Sequence, residues 1–161
     1  MAKFIAAENA EVWFVPAVAS AGAMTVTEGD AGTRLTDYIT GGVSADFASN
    51  LVDAGTLLSA FNSTVAGTYG GGTNSLSGVL YDDTSNTAWD ALPRGTAGFL
   101  VVSIAGTANQ SGAAWATGDV YDLIPAEVVS RTYPDLTRDS LVTFDVEYAI
   151  TAEPTYQGTA A

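Results

Sequence analysis

Ten residues near the C-terminal end constrain this chain most. From Leu141 to Ile150, the even positions Val142, Phe144, Val146, Tyr148 and Ile150 alternate with Leu141, Thr143, Asp145, Glu147 and Ala149. Side chains on an extended backbone point to opposite faces in turn. Period two therefore means a strand with one apolar face and one mostly polar face. At about 3.3 Å per residue, such a strand spans roughly 30 Å, which is long for a small domain. Its even face needs an apolar layer to pack on, so the chain is expected to be mainly β.

Other stretches agree. Glu11-Val12-Trp13-Phe14-Val15-Pro16 reads as a first strand closed by proline. Phe99-Leu100-Val101-Val102-Ser103-Ile104 is apolar on both faces, the pattern of a central strand covered on both sides. Val120 to Arg131 is strand-like, and Pro125 within it marks an edge, a bulge or a sharp bend, because proline cannot donate to a ladder. Ala17 to Gly32, Ala48 to Ala60 and Ala105 to Thr117 read as loops. Gly41-Gly42 reads as a break before a short strand, Val43 to Phe47. Phe61 to Tyr69 reads as a weak strand, Gly70 to Asn74 as a turn, and Leu76 to Tyr81 as the hairpin partner that follows. One helix is expected near Ser85–Leu92. Asp83, Thr84 or Ser85 would cap it, Trp89 would anchor it to the sheet, and Pro93 and Gly95 would end it. With no internal repeat, residues 1–161 read as one domain with a flexible N-terminal arm, long loops and a short polar C-terminal tail from Gln157.

The charge is lopsided, with 18 acidic residues against Lys3, Arg34, Arg94, Arg131 and Arg138, for a net charge of −13. Gripping nucleic acid takes clustered Lys and Arg, so that role is excluded. Solubility explains an acidic surface, and so does a wall past which DNA must slide without sticking. Low total charge suits a protein whose surface is covered by copies of itself.

No cysteine or histidine is present, which removes disulfides, thiolate nucleophiles and the usual triads. Lys3 lies far from Gly70-Gly71-Gly72, so there is no phosphate-binding loop. Asp82-Asp83 and Asp119 with Asp122 are the nearest carboxylate pairs, and they read as turn and cap residues. Gly118-Asp119 lacks the acid spacing of a calcium loop. No catalytic residue, metal or cofactor is expected, and no enzyme. Glu8 and Glu11 interrupt the N-terminal apolar stretch, which makes a poor signal peptide, and no run is long enough to span a membrane.

Trp89 to Val102, Gly118 to Val128, Asp139 to Val146 and Ala149 to Pro154 follow one another as a short helix, a Pro-Arg-Gly stop and strands joined by Gly and Asp turns. Together with Thr25-Val26-Thr27-Glu28 and Gly32 to Ile39, their order and spacing resemble the major tail tube protein of long-tailed, siphovirus-type phages, particularly those of Gram-positive hosts. The resemblance implies a β-sandwich or barrel with one flanking helix. It implies hexameric rings stacked into a hollow virion tail tube, assembled in the host cytoplasm. The implied partners are the chain itself, tape-measure and terminator or initiator proteins, and double-stranded DNA in transit.

On that reading, Asp145 and Glu147 are candidates to face the lumen. Arg34, Arg94, Arg131 and Arg138 are candidates for inter-subunit salt bridges. Ala48 to Ala60, the glycine-rich tip and the N-terminal segment are candidates for ring stacking. Without the resemblance, the 141–150 pattern is better read as a half-buried strand with a solvated face. Related phage parts, such as a contractile machine's inner tube or a head decoration protein, fit the same features. A carbohydrate-binding sandwich needs Trp13, Trp89 and Trp115 exposed.

Overall fold

The computed structural model describes residues 10–20, 23–53, 64–71, 73–81, 85–104, 114–133 and 137–161. Ten strands and two short helices alternate along them. The strands are β1 Glu11–Val15, β2 Thr33–Arg34, β3 Ile39–Val43, β4 Phe47–Asp53, β5 Thr64–Gly71, β6 Thr73–Leu80, β7 Ala97–Ser103, β8 Val120–Thr132, β9 Thr143–Ile150 and β10 Thr155–Thr159. The helices are α1 Val26–Asp30 and α2 Thr87–Ala91. One antiparallel sheet runs β2-β1-β7-β8-β9-β6-β3, with β10 also on β8, and β4 pairs with β5 in a separate two-stranded sheet.

The centre of the sheet has two cores, one on each face. Along β1, Val12 and Phe14 enter one core while Trp13 and Val15 enter the other. Along β7, Leu100 joins the first and Val101 the second. This is the doubly covered strand expected from its unbroken apolar run, and it lies between β1 and β8. The first core also takes Leu76, Val79, Ile124, Val128, Phe144, Val146 and Tyr148, closed by Ala88 and Leu92 of α2. The second is smaller and is covered by Met24, Trp115 and Ala160. Its lid is hydrogen-bonded in place: the Tyr121 hydroxyl accepts from the Met24 amide at 2.6 Å, and Asp30 Oδ1 accepts from the Trp115 amide at 2.8 Å.

Pro125 sits where β9 hands over to β10. Ala126 pairs with Ile150 and Leu123 with Thr155, so both strands lie along the same side of β8. The missing amide falls in the gap between them, while the Pro125 carbonyl still accepts from Thr151 at 3.0 Å.

Several expectations change. Ala17 to Gly32 is not all loop. Thr25 and Glu28 form a reciprocal capping box that starts α1, so there are two short helices rather than one. The second helix is not capped by Ser85: Asn86 holds the N-cap position in a left-handed conformation, and Asp83 and Thr84 lie outside the described residues. Gly41 and Gly42 continue β3 rather than break it. A Cβ on Gly41 would stand 2.6 Å from the Ser77 carbonyl oxygen, so glycine is what allows the close approach of β6. The strand expected at Val43–Phe47 is instead the interval between β3 and β4, with Ser44 to Asp46 outside both. The tail from Gln157 is structural. Most of it is β10, and Ala161 exchanges backbone hydrogen bonds with Met24 and Val26.

Candidate functional site

The long alternating segment becomes β9, two residues shorter than its pattern. Phe144, Val146 and Tyr148 are buried in the first core, Ile150 packs at its margin, and Val142 stands exposed before the strand begins. Asp145 and Glu147 therefore lie on the opposite face of the sheet from α2, whose Ala88 and Leu92 are in that core.

The two carboxylates differ in what they hold. Asp145 Oδ1 accepts the Gly78 amide at 2.7 Å. Gly78 has φ +65° and sits where the β6–β9 register shifts between Leu76 and Val79. A bulge of this kind leaves an amide without a ladder partner, and Asp145 supplies one. Glu147 is exposed and accepts from its cross-strand neighbour Ser130 at 2.7 Å. The alternation identified the face, but not that Asp145 is committed to a bulge on it.

The arginines also separate. Arg34 is engaged inside the chain, with Asp37 Oδ2 at 2.7 Å and the buried Glu11 Oε1 at 3.3 Å. Glu11 further accepts from the Trp13 indole at 3.1 Å. Arg131 lies 3.7 Å over the Trp89 ring and donates to the Trp89 carbonyl at 2.9 Å. Trp89 itself meets Phe144 edge-on and stacks on Tyr133, as an anchor of α2 onto the sheet should. Arg94 and Arg138 are exposed. Trp13 and Trp115 are buried, so they offer no platform for a sugar ring.

The remaining feature is an arm. The segments at 39–53 and 64–80 form one long antiparallel hairpin. Near the body, β3 pairs with β6, and farther out β4 pairs with β5. The near half is held in the sheet through β9, whereas among the described residues the far half pairs only with itself. This corrects two readings. Ala48 to Asp53 is strand rather than loop, and β6 returns against β3 and β9 rather than against β5. Of the expected turn, Gly70 and Gly71 end β5 and Thr73 and Asn74 begin β6, while Gly72 lies outside the described residues, as do residues 54–63 and the N-terminal segment 1–9.

The hinge between the two halves is pinned by side chains. Asn74, buried, accepts the Asp46 amide at 2.5 Å and donates to the Asp46 carbonyl at 3.3 Å. The Tyr148 hydroxyl donates to the Ser44 carbonyl, and burial pushes its pKa up to about 12. Ser44 Oγ accepts the Ser75 amide at 2.9 Å. The arm therefore leaves the body in a set direction. Asn74 is the residue that sequence reasoning missed here, since a lone Asn beside glycines reads as a turn.

The profile of the family described as Phage tail tube protein matches residues 1–161. The chain belongs to the phage tail tube protein family. It is a structural component of the virion tail, and self-assembly is what that family implies. No curated protein matches the chain.

Proposed function

We propose that this tail tube protein forms hexameric rings that stack into the hollow tube of a long-tailed, siphovirus-type phage, and that double-stranded DNA leaves through it. The observation that carries this reading is the arm. Among the described residues, β4 and β5 each have one strand partner and one open edge. Open edges invite pairing and are a hazard to a monomer. In a repeating assembly, the neighbouring copy covers them. The arm is thus the contact to the next ring, together with the glycine-rich connection and the N-terminal segment. A head-to-tail ring seals the remaining sheet edges around a larger barrel. Among the described residues, exposed Arg94 and Arg138 are cations placed to reach a neighbour's carboxylates.

The outer face of β9 lines the lumen in this arrangement. Glu147, with Asp145 beneath it, repeats around each ring and repels a duplex carrying one negative charge per roughly 1.7 Å. The role is passive and has no catalytic step. The tube is assembled in the host cytoplasm around a tape-measure protein and is bounded by initiator and terminator proteins.

Electron microscopy of concentrated protein tests assembly. A strictly monomeric species in the presence of the tape-measure and initiator proteins would overturn it. Genome ejection tests the lumen. Glu147→Lys leaves the Asp145 bulge contact intact and should slow ejection in a salt-dependent way. Intact tubes with unchanged ejection at every salt concentration would remove the electrostatic role. A tube structure placing Glu147 between rings would remove the lumen assignment.

A further inference from the structure

Two apolar patches stand at opposite ends of β8, and nothing above uses them. At the start of the strand, a groove of about 280 Å³ is lined by Val102, Ile104, Val120, Asp122 and Tyr156 among others. Ile104 is 63% exposed and Tyr156 59%, although the same stretch of sheet runs on into the first core through Val102. At the end of the strand, Tyr133, Leu141 and Val142 protrude. Leu141 is 74% exposed, the most of any large apolar residue among those described. These three belong to one corner. Tyr133 stacks on Trp89, Trp89 meets Tyr81 edge-on, and the Tyr81 amide donates to the Val142 carbonyl at 2.9 Å.

We propose that the Tyr133–Leu141–Val142 corner of one copy seats in the Ile104–Val120–Tyr156 groove of the next. This rests on the tube reading and names a contact within it. Three observations favour a second copy as the occupant. First, the chain cannot join its own two patches, because the 13 residues of β8 hold them roughly 40 Å apart. Second, one patch is concave and the other protrudes, so they complement each other and not themselves. That makes a head-to-tail contact, the kind that generates rings and tubes. Third, the charges match. Asp122 brings a carboxylate to the groove wall, with its Oδ1 on the Gln157 amide at 2.8 Å. Exposed Arg138 stands three positions before Leu141. In a chain with only five cations against 18 acids, an arginine beside the protruding corner is the scarce complement to that carboxylate.

The absence of cysteine from the chain makes the contact directly testable. Ile104→Cys and Leu141→Cys replace exposed side chains, and the fold of each variant is checked by circular dichroism. Tubes of the double variant, mildly oxidised, should give a ladder of covalent multimers that neither single variant gives. Normal tubes without the ladder overturn the contact while leaving the tube reading intact. Covalent dimers of the Ile104→Cys variant alone overturn it too, because they show a groove meeting its own kind. So does a cross-link from Ile104→Cys to Phe4→Cys, which makes the N-terminal segment the occupant. Failure of the unmodified chain to form tubes beside its tape-measure and initiator proteins sinks the tube reading and this contact with it. A charge exchange gives a second route. Asp122→Arg and Arg138→Asp should each slow assembly about ten-fold, and the two together should restore it. Absence of that restoration counts against the contact.

Discussion

β7 and β4 are both seven residues long, yet they are held in opposite ways. β7 has a strand on either side, and its side chains fill cores on both faces. Among the described residues, β4 has one strand beside it, β5, and that strand pairs with no other. A two-stranded ribbon is marginal in water, whereas a strand with neighbours on both edges and cover on both faces is not. The difference lies in what surrounds each strand, not in its length or hydrogen-bonding capacity. The body of this protein is held by several strands and two cores, and the described part of its arm by the β4–β5 ladder.

The strongest test of that contrast strikes the body. Leu100→Ala empties a buried site on β7 and should lower stability by about 2–5 kcal/mol. Against a total of roughly 5–15 kcal/mol, that is a large shift in the urea midpoint. An unmoved midpoint would mean that β7 is not the keystone described here.

The hinge comes next. Asn74→Ala removes both part-buried bonds to Asp46, a local loss of about 1–2 kcal/mol. Amide hydrogen exchange across 47–53 and 64–71 should quicken by about ten-fold or more, while β7 amides keep their protection. Equal acceleration in both would show that arm and body open together, and the contrast would fail.

The border strand β9 sharpens the comparison. Asp145→Ala strands the Gly78 amide and should cost about 1–2 kcal/mol, whereas Asp145→Asn keeps an acceptor and should cost less. Glu147→Ala on the same face should stay within about 0.5 kcal/mol, because its partner Ser130 can turn to water. Equal losses for the two alanines in urea titration would show that the bulge bond does not set the difference.

The smallest effect concerns the lid of the second core. The backbone amides of Thr25 and Ala19, and then the Thr25 hydroxyl, hold the Glu28 pKa below its ordinary 4.5. A carboxylate depressed in the fold stabilises it above the unfolded pKa, and that support is lost as pH falls through the folded value. Acidification below about pH 4.5 should therefore loosen α1 before the sheet responds. Glu28→Gln should remove the pH dependence of exchange in that turn, and its persistence would assign it to another carboxylate.

Much of the body was legible. The two-faced apolarity of Phe99 to Val102 foretold a doubly covered strand, and the alternation after Val142 foretold which residues of β9 turn inward. Both follow from the period of an extended chain. Three things were not legible. Gly41 and Gly42 read as a break, because sequence does not reveal that β6 passes too close for a side chain. Ser44 to Asp46 read as strand, because the interruption there is imposed by Asn74 and Tyr148 from elsewhere in the chain. The tail from Gln157 read only as a short polar tail, because its apolar content is slight and its place in the fold comes from β10 and from backbone bonds to Met24 and Val26. Of the candidate site, sequence gave the face carrying Asp145 and Glu147. It did not separate Arg34 and Arg131, spent inside the chain, from Arg94 and Arg138.

The pairing of Trp13 with Val101 has a consequence in time. The hairpin from 39 to 80 joins near neighbours in the chain, so little entropy is lost in closing it. The β1–β7 ladder brings together segments separated by more than half the protein, and such contacts form slowly. The least durable part can thus appear first and the most durable last. Until β1 arrives, one edge of β7 lies open. For a protein made in many copies at once, that interval is when wrong pairings between chains compete with correct folding.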